Sequence, residues 1–361
     1  MDADMSRIKE KVYKCYIRVK YTLSLNQGIN MSYKEAKKIL DDFYHHDTVP
    51  AFCQKVNYNP EYDLMIIVPV YNSEKYLNEC IQSLVKQNTH YSYKIVLVDD
   101  GSTDQSGNIL ENYSQEKKVE VIHEKNRGVA GARNFALKNI CAKYILFVDS
   151  DDLLADNAIE LLMETAIKNK ADIVEGNYIE FSAVKSVQGK EKKETISGYP
   201  WGKVIRAEKM FNICFPEGYQ YEDTIIENLL LPSCDVKCAI PNILYYYREN
   251  SSGITATLNG KKESVDTLYM TYFCLKESLA RGNRIHLKKY LNQVRLNWLR
   301  TQNLPVDVQK AIFVIEINMF NKYFSQIGNH EEEKFRKLET VIRKKSFDSY
   351  EKLMNTWNIW K

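Results

Sequence analysis

Two acidic turns, each following a run of apolar residues, hold the side chains most suited to chemistry. The first reads Ile95-Val-Leu-Val-Asp99-Asp100-Gly101-Ser102, and the second Tyr144-Ile-Leu-Phe-Val-Asp149-Ser150-Asp151-Asp152. Carboxylates at the ends of buried strands do not belong in a core, because an unpaired buried charge is too costly. In an open sheet such ends face a ligand crevice. A carboxylate of the first turn can accept a hydrogen bond from a base N–H or a ribose hydroxyl. Alternate carboxylates of the second share one side of an extended chain. There they can hold a hard divalent cation, whose shell is normally completed by phosphate and water.

Further candidates lie around these turns. Asn126-Arg127-Gly128-Val-Ala-Gly131-Ala-Arg133-Asn134 opens a helix. Its Arg133 can meet a phosphate, or fix the acidic residues by charge-assisted hydrogen bonds. Gly218-Tyr-Gln-Tyr221-Glu222-Asp223 supplies two carboxylates. Either can accept the proton of an attacking hydroxyl, and both equally suit the N-terminus of a helix over 224–231. The aromatic run Tyr245-Tyr-Tyr247-Arg248 leads into Asn250-Ser251-Ser252-Gly253. Arg248 and a serine hydroxyl there can close over a diphosphate, or form an ordinary strand and turn. Ile67-Val-Pro69-Val-Tyr71 ends the first apolar run, and Tyr71 can stack on a base.

The elements that position these residues alternate. Apolar runs at 64–70, 94–98, 119–123, 144–148 and 172–178 are rich in Ile and Val, as buried parallel strands are. Helical stretches near 74–87, 104–116, 129–140 and 156–169 separate them, which predicts an α/β fold with a mostly parallel sheet. Residues 57–60 are expected to be a linker and 183–198 a polar surface loop or hairpin. The expected organisation is an N-terminal helical extension over 1–60, a nucleotide-binding domain over 61–260 and a helical region over 261–361.

Composition bounds the partners. Of 361 residues, 44% are hydrophobic, ample for a core, and the net charge is only +3. The charge is uneven: 19 Lys and Arg against 11 Asp and Glu over 261–361, but 21 against 27 over 64–260. An acidic centre fits a metal and diphosphate site, and nothing marks a nucleic-acid partner. The eight cysteines include no C-x-x-C pair, which fits reduced thiols in the cytoplasm. Met1-Asp-Ala-Asp is not expected to begin a signal peptide, and the sequence contains no run of 18 apolar residues. Over 6–23, Ile8, Val12, Cys15, Tyr16, Val19 and Leu23 form a helical stripe flanked by Arg7, Lys11, Lys14, Arg18 and Lys20. Such a helix packs on its own protein or lies on an anionic membrane, the former being the commoner outcome. Trp357 and Trp360 beside Lys352 and Lys361 suit either a membrane interface or burial.

Taken in order, IIVPVYNSEKYLNECIQSLVKQ, IVLVDDGSTD, NRGVAGARN, YILFVDSDD, PWGKVIR, FPEGYQYED and YYYRENSSGIT resemble the family 2 glycosyltransferases of bacterial surface-polysaccharide pathways, across roughly residues 64–256. The resemblance implies a GT-A fold, a nucleotide-diphospho-sugar donor (most often UDP-linked), a Mn²⁺ or Mg²⁺ ion and inversion at the anomeric carbon. It assigns Pro69, Tyr71 and Asp100 to the nucleoside, and makes Arg133 the family's A-R-N arginine. Asp149 is assigned to ribose or metal, and Asp151 to metal. Asp223 becomes the base with Glu222 in support, and Trp201 and Lys203 face the acceptor. Two departures stand out: about sixty residues precede the first strand, and Gly253 separates Ser252 from Ile254.

The expected activity is therefore metal-dependent, inverting transfer of a hexosyl or N-acetylhexosaminyl group to a glycan or lipid-linked glycan. The alternative is a non-catalytic GT-A-like scaffold of a polysaccharide assembly complex, which metal-dependent transfer would exclude. A cytoplasmic enzyme with peripheral contact to the inner membrane face is the expected setting.

Overall fold

The computed structural model describes residues 14, 16–182, 188–189, 195–250, 253, 257–258, 260–324, 328 and 330–360. The chain divides into two compact units. One comprises residues 49–257 and 273–283, and the other residues 1–48, 258–272 and 284–361.

The first unit is built on a mixed sheet. Its strands are β1 (Asn57–Val70), β2 (Tyr93–Asp99), β3 (Val119–His123), β4 (Asn139–Phe147), β5 (Leu153–Leu154), β6 (Ile173–Phe181), β7 (Gln188–Gly189), β8 (Lys203–Arg206) and β9 (Lys237–Arg248). They run in the order β3-β2-β1-β4-β8-β6-β9-β5, with β7 paired to β6. Strands β1 to β4 are mutually parallel where they pair. Their apolar runs are continuous because both faces are covered. On one face, Leu64, Ile66, Val68 and Val70 join a core with Leu77, Cys80, Ile81 and Leu84 of helix Leu77–Val85 and Ile159, Leu162 and Met163 of helix Ala158–Lys168. Val70 pairs with Asp99 and Ile67 with Phe147, so the two acidic turns leave the same end of the sheet from β2 and β4, the strands on either side of β1.

Two features depart from the sequence pattern. Residues 57–60 are not a linker; they begin β1, with Asn57 paired to Asn139 and a register shift between Tyr58 and Tyr62. That irregularity takes up Pro60, which cannot donate to a ladder. Second, β8 runs antiparallel to both β4 and β6. Its Lys203 pairs in register with Glu175 of β6. The Lys203 ammonium is fully buried and lies 2.9 Å from the Glu175 carboxylate. It also reaches the carbonyl of Ser197, 3.2 Å away, and that of Tyr199.

The second unit is helical. Helix Tyr33–Phe43 starts with a capping box, Glu35 N donating to Ser32 Oγ and Ser32 N to Glu35 Oε2. It packs on helix Val306–Tyr323, which is apolar on most of its circumference and supplies Phe313, Ile317 and Phe320 to the core. Within that core lies Glu316, whose Oε1 accepts from Asn297 Nδ2 at 2.9 Å and Oε2 from Tyr350 OH at 3.2 Å. Burial pushes this carboxyl up to about 8, against the pull of those two hydrogen bonds. Trp360 is buried too, its Nε1 donating to Thr356 Oγ1, so burial, not a membrane interface, is its role. Among the described residues no helix is long and apolar enough to cross a membrane.

Two stability outcomes follow from these buried charges. Removing one member of a buried ion pair strands the other, at a cost of about 3–5 kcal/mol. Lys203→Met should therefore lower the melting temperature by many degrees in a thermal scan, whatever its effect on activity. Glu316, whose native proton affinity exceeds its unfolded one, destabilises the native state once ionised. Its contribution is intact below the ordinary glutamate range and lost as pH rises towards about 8. The loss is about 1.4 kcal/mol per pH unit within that window. Glu316→Gln should flatten this dependence, read from urea midpoints at pH 5 to 8.

Candidate active site

At the end of β2 the two adjacent aspartates divide their work. Asp99 is structural: its Oδ1 accepts from Ser102 N at 3.0 Å, and its Oδ2 meets His123 Nδ1 at 2.8 Å. His123 Nε2 in turn meets Glu111 at 2.9 Å, and both carboxylates raise the imidazole pKa. Asp100 is buried, and its Oδ1 accepts from Arg127 N at 2.7 Å. Its Oδ2 is also buried and has no hydrogen-bond partner among the described residues. Burial raises the Asp100 pKa, opposed by the backbone N–H groups of Arg127 and Gly128. Gly101 turns the chain at φ +71°, where a Cβ would stand 2.9 Å from Asn126 N. Pro69, next to last in β1, pairs with Val98, and Tyr71, the first residue past the strand, is half exposed.

Helix Gly128–Leu137 carries Arg133, which is only 3% exposed. Its Nη1 donates to Glu222 Oε1 at 2.7 Å and its Nη2 to Asp149 Oδ1 at 3.0 Å. Of the two roles open to Arg133 in the sequence, phosphate or carboxylate partner, this is the second. The same helix holds the chain that leads to Glu222. Asn134 Nδ2 donates to Phe215 O at 2.7 Å, and Asn134 Oδ1 accepts from Phe215 N at 2.8 Å. At its N-cap, Arg127 forks onto Glu217, with Nη2 2.6 Å from Oε1 and Nε 3.0 Å from Oε2. Burial pushes Glu222 up to about 7, Arg133 pulling against it and the neighbouring Asp223 adding to the rise. The backbone then opens into a wide π turn over Ile226–Leu230, where the sequence predicts a plain helix.

The turn after β4 is supported from below by β9. Tyr245 OH accepts from Asp149 N at 3.2 Å and donates to Asp152 Oδ2 at 2.7 Å. Arg248 N donates to Asp152 Oδ1 at 2.7 Å. Asp152 is thus a buried anchor, its pKa raised well above the usual range by burial and then by the charges of Asp149 and Asp151. Asp151, half-buried, accepts from Asn250 Nδ2 at 2.9 Å. Arg248 donates from Nε to Asp151 O at 2.8 Å and from Nη2 to Glu79 Oε2 at 2.7 Å, its guanidinium 4.5 Å from the ring centres of Tyr76 and Phe181. Ser251 and Ser252 lie outside the described residues.

Among the described residues no three His, Cys, Asp or Glu side chains form a metal cluster. Asp149 and Asp151 offer two hard carboxylates on one turn. That donor set fits Mg²⁺ or Mn²⁺ only as such ions commonly bind in phosphate sites, with one or two carboxylates and the rest of the shell from phosphate and water.

Trp201 and Lys203 point into the protein rather than into a cleft. Trp201 is buried in an aromatic stack, 4.5 Å from Tyr245 and 4.8 Å from Tyr199, and Tyr199 is the exposed outer ring. Sequence reasoning did not single out Glu217, Tyr245 or Asp152 for these positioning roles. Only the third acidic residue of the Asp149–Asp152 run and the Tyr-Tyr-Tyr-Arg string hinted at them.

Comparison with known proteins fits this geometry. A family model described as glycosyl transferase family 2 matches residues 65–225. The chain is 33% identical over 223 residues to glycosyltransferase GlyG of Streptococcus pneumoniae serotype 4, covering 54% of this chain and 73% of that protein. It is 30% identical over 219 residues to the minor teichoic acid biosynthesis protein GgaB of Bacillus subtilis, covering 55% of this chain but only 24% of GgaB. Its fold is similar to that of S. aureus TarS 1–349 in complex with UDP-GlcNAc, at TM-score 0.62 and 21% identity, over 82% of this chain and 91% of that one. With the strand order, the acidic turns and the Arg133 bridge in place, these matches make the chain a member of glycosyl transferase family 2, a glycosyltransferase of GT-A fold.

Proposed function

We propose that this chain moves a hexosyl or N-acetylhexosaminyl group from a UDP-linked sugar to a hydroxyl of a glycan or lipid-linked glycan, with inversion and with a divalent cation, in bacterial surface-polysaccharide synthesis. The observation that carries the donor reading is Asp100. A buried carboxylate oxygen without a partner is costly, and an N–H donor from a ligand relieves it. The N3–H of a uracil is such a donor, and half-exposed Tyr71 offers a ring for the base to stack on. The relationship to GgaB, named for teichoic acid synthesis, supports a cell-surface polysaccharide. The free thiols among the described cysteines support a cytoplasmic setting.

In this reading Asp149 and Asp151 would hold Mn²⁺ or Mg²⁺, which would supply positive charge to a departing diphosphate. Arg133 fixes Asp149 in place and keeps Glu222 beside it. Glu222, whose Oε1 is engaged by the Arg133 guanidinium, is poorly placed to take a proton directly. Asp223 is the base: it accepts the acceptor hydroxyl's proton as that oxygen bonds to the anomeric carbon and the bond from that carbon to the phosphate oxygen breaks. Arg248, held by Glu79, lies beside the Asp151 backbone on the diphosphate side. Tyr199, outermost of the aromatic stack, and Trp201 and Lys203 beneath it shape the acceptor side.

Two outcomes test this. Asp223→Asn should lower kcat by about 10²–10⁴ in UDP release from a panel of UDP-sugars with acceptor. UDP binding by calorimetry should stay unchanged, and undiminished turnover would remove Asp223 as base. Chelation with EDTA should abolish release, with Mn²⁺ or Mg²⁺ restoring it. Asp151→Asn should lose about 10²–10³ in rate even with cation present; full activity in EDTA would end the metal assignment.

A further inference from the structure

The sequence places an apolar stripe and a set of basic residues on one N-terminal helix, and the structure shows which way each side faces. Over residues 16–24 the helix turns Tyr21 and Ser24 inward. Tyr21 OH donates to Lys337 O at 3.1 Å, and its ring lies 5.6 Å from buried Trp360. Ser24 Oγ lies 2.7 Å from Ser349 Oγ. These contacts fix the rotation of the helix about its own axis. The apolar stripe is therefore carried to the outside: Tyr16 is 51% exposed, Val19 53% and Leu23 72%. At 100° per residue these three fall within one third of the circumference. The helix therefore packs on the protein through Tyr21 and Ser24, and the apolar stripe is not the face that does so.

A cation edges the stripe: Lys20 lies over the Tyr16 ring at 4.6 Å. Arg18 turns its guanidinium the other way, to Glu333 at 3.9 Å and over the Trp360 ring at 5.7 Å. Residues 14–24 contain Lys14, Arg18 and Lys20 and no acidic residue. The sequence repeats the pattern upstream, with Ile8 and Val12 in the same period and Arg7, Lys9 and Lys11 beside them. A protein partner for such a face would need a groove of matching shape. A sheet of anionic lipid headgroups over acyl chains meets both properties at once, the charges at the headgroups and the apolar stripe at the acyl boundary.

We propose that this helix is a membrane-surface anchor, seating Tyr16, Val19 and Leu23 in the interface of an anionic bilayer with Lys20 against its headgroups. It is independent of donor, metal and base, so its failure would leave the transfer reading intact, and the reverse.

The test is co-sedimentation of the full chain with vesicles of phosphatidylcholine alone or with about one third phosphatidylglycerol. The protein should pellet with the anionic vesicles and stay in solution with the neutral ones. Val19→Glu with Leu23→Glu should cut the bound fraction at least tenfold. Lys20→Gln should weaken binding about fivefold, the effect of one cation near such a surface. Both variants should keep the wild-type melting temperature, because the changed side chains point outward. Equal pelleting of the Val19→Glu/Leu23→Glu protein, or no pelleting of the wild type, overturns the proposal. So does a concentration-dependent dimer, seen by light scattering, that Leu23→Glu abolishes while vesicle binding is absent.

Discussion

The guanidinium of Arg133, buried between Asp149 and Glu222, is the interaction on which the site depends. Three acidic segments converge there: the turn after β4, the Glu222–Asp223 pair and, through Arg127, the chain at Glu217. Carboxylates brought this close repel one another, and burial raises the cost. A single planar cation offsets both effects because its two terminal nitrogens reach two partners at once. Lysine, a point charge on a flexible stem, could not hold both geometries. The separation of 89 positions from Arg133 to Glu222 shows why the contact is tertiary rather than local.

Around that clamp the structure repeats one device: of two adjacent acidic side chains, one is fastened and the other is left with capacity. Asp99 is consumed by Ser102 and His123, while Asp100 keeps an unpartnered oxygen. Asp152 is consumed by Tyr245 and the Arg248 backbone, while Asp151 is only half-buried. In each pair the fastened residue sets the turn and thereby aims its neighbour. A turn held this way can present charge towards a ligand without relying on the ligand for its shape, which is the preorganisation that electrostatic catalysis requires.

Much of this was legible in the residues. Parallel strands buried on both faces must read as unbroken apolar runs, so 64–70, 94–98 and 144–148 announced themselves, and with them the turns at their ends. The pairing partners were not legible. Nothing local to Lys203 says that it will be buried opposite Glu175, because that pairing is created by β8 running back between β4 and β6. Residues 57–60 looked like a linker because Pro60 and polar neighbours suppress the strand signal, yet an irregular register admits them to β1. The C-terminal tryptophans gave two readings of equal weight from sequence, and only tertiary contact with Tyr21 separates them.

The same logic bears on Glu222 and Asp223, which the sequence leaves equivalent. A general base needs a lone pair that is free at the moment of attack and a proton affinity that makes transfer downhill. Glu222 meets the second condition, having been pushed to about 7, but its Oε1 is engaged by Arg133. Protonating Glu222 would weaken the bridge that orients Asp149, so using it as base would loosen the diphosphate site during the step that needs it most. Asp223 shares the position without sharing the clamp. What Glu222 is already required to hold is therefore the main support for the proposal that Asp223 is the base.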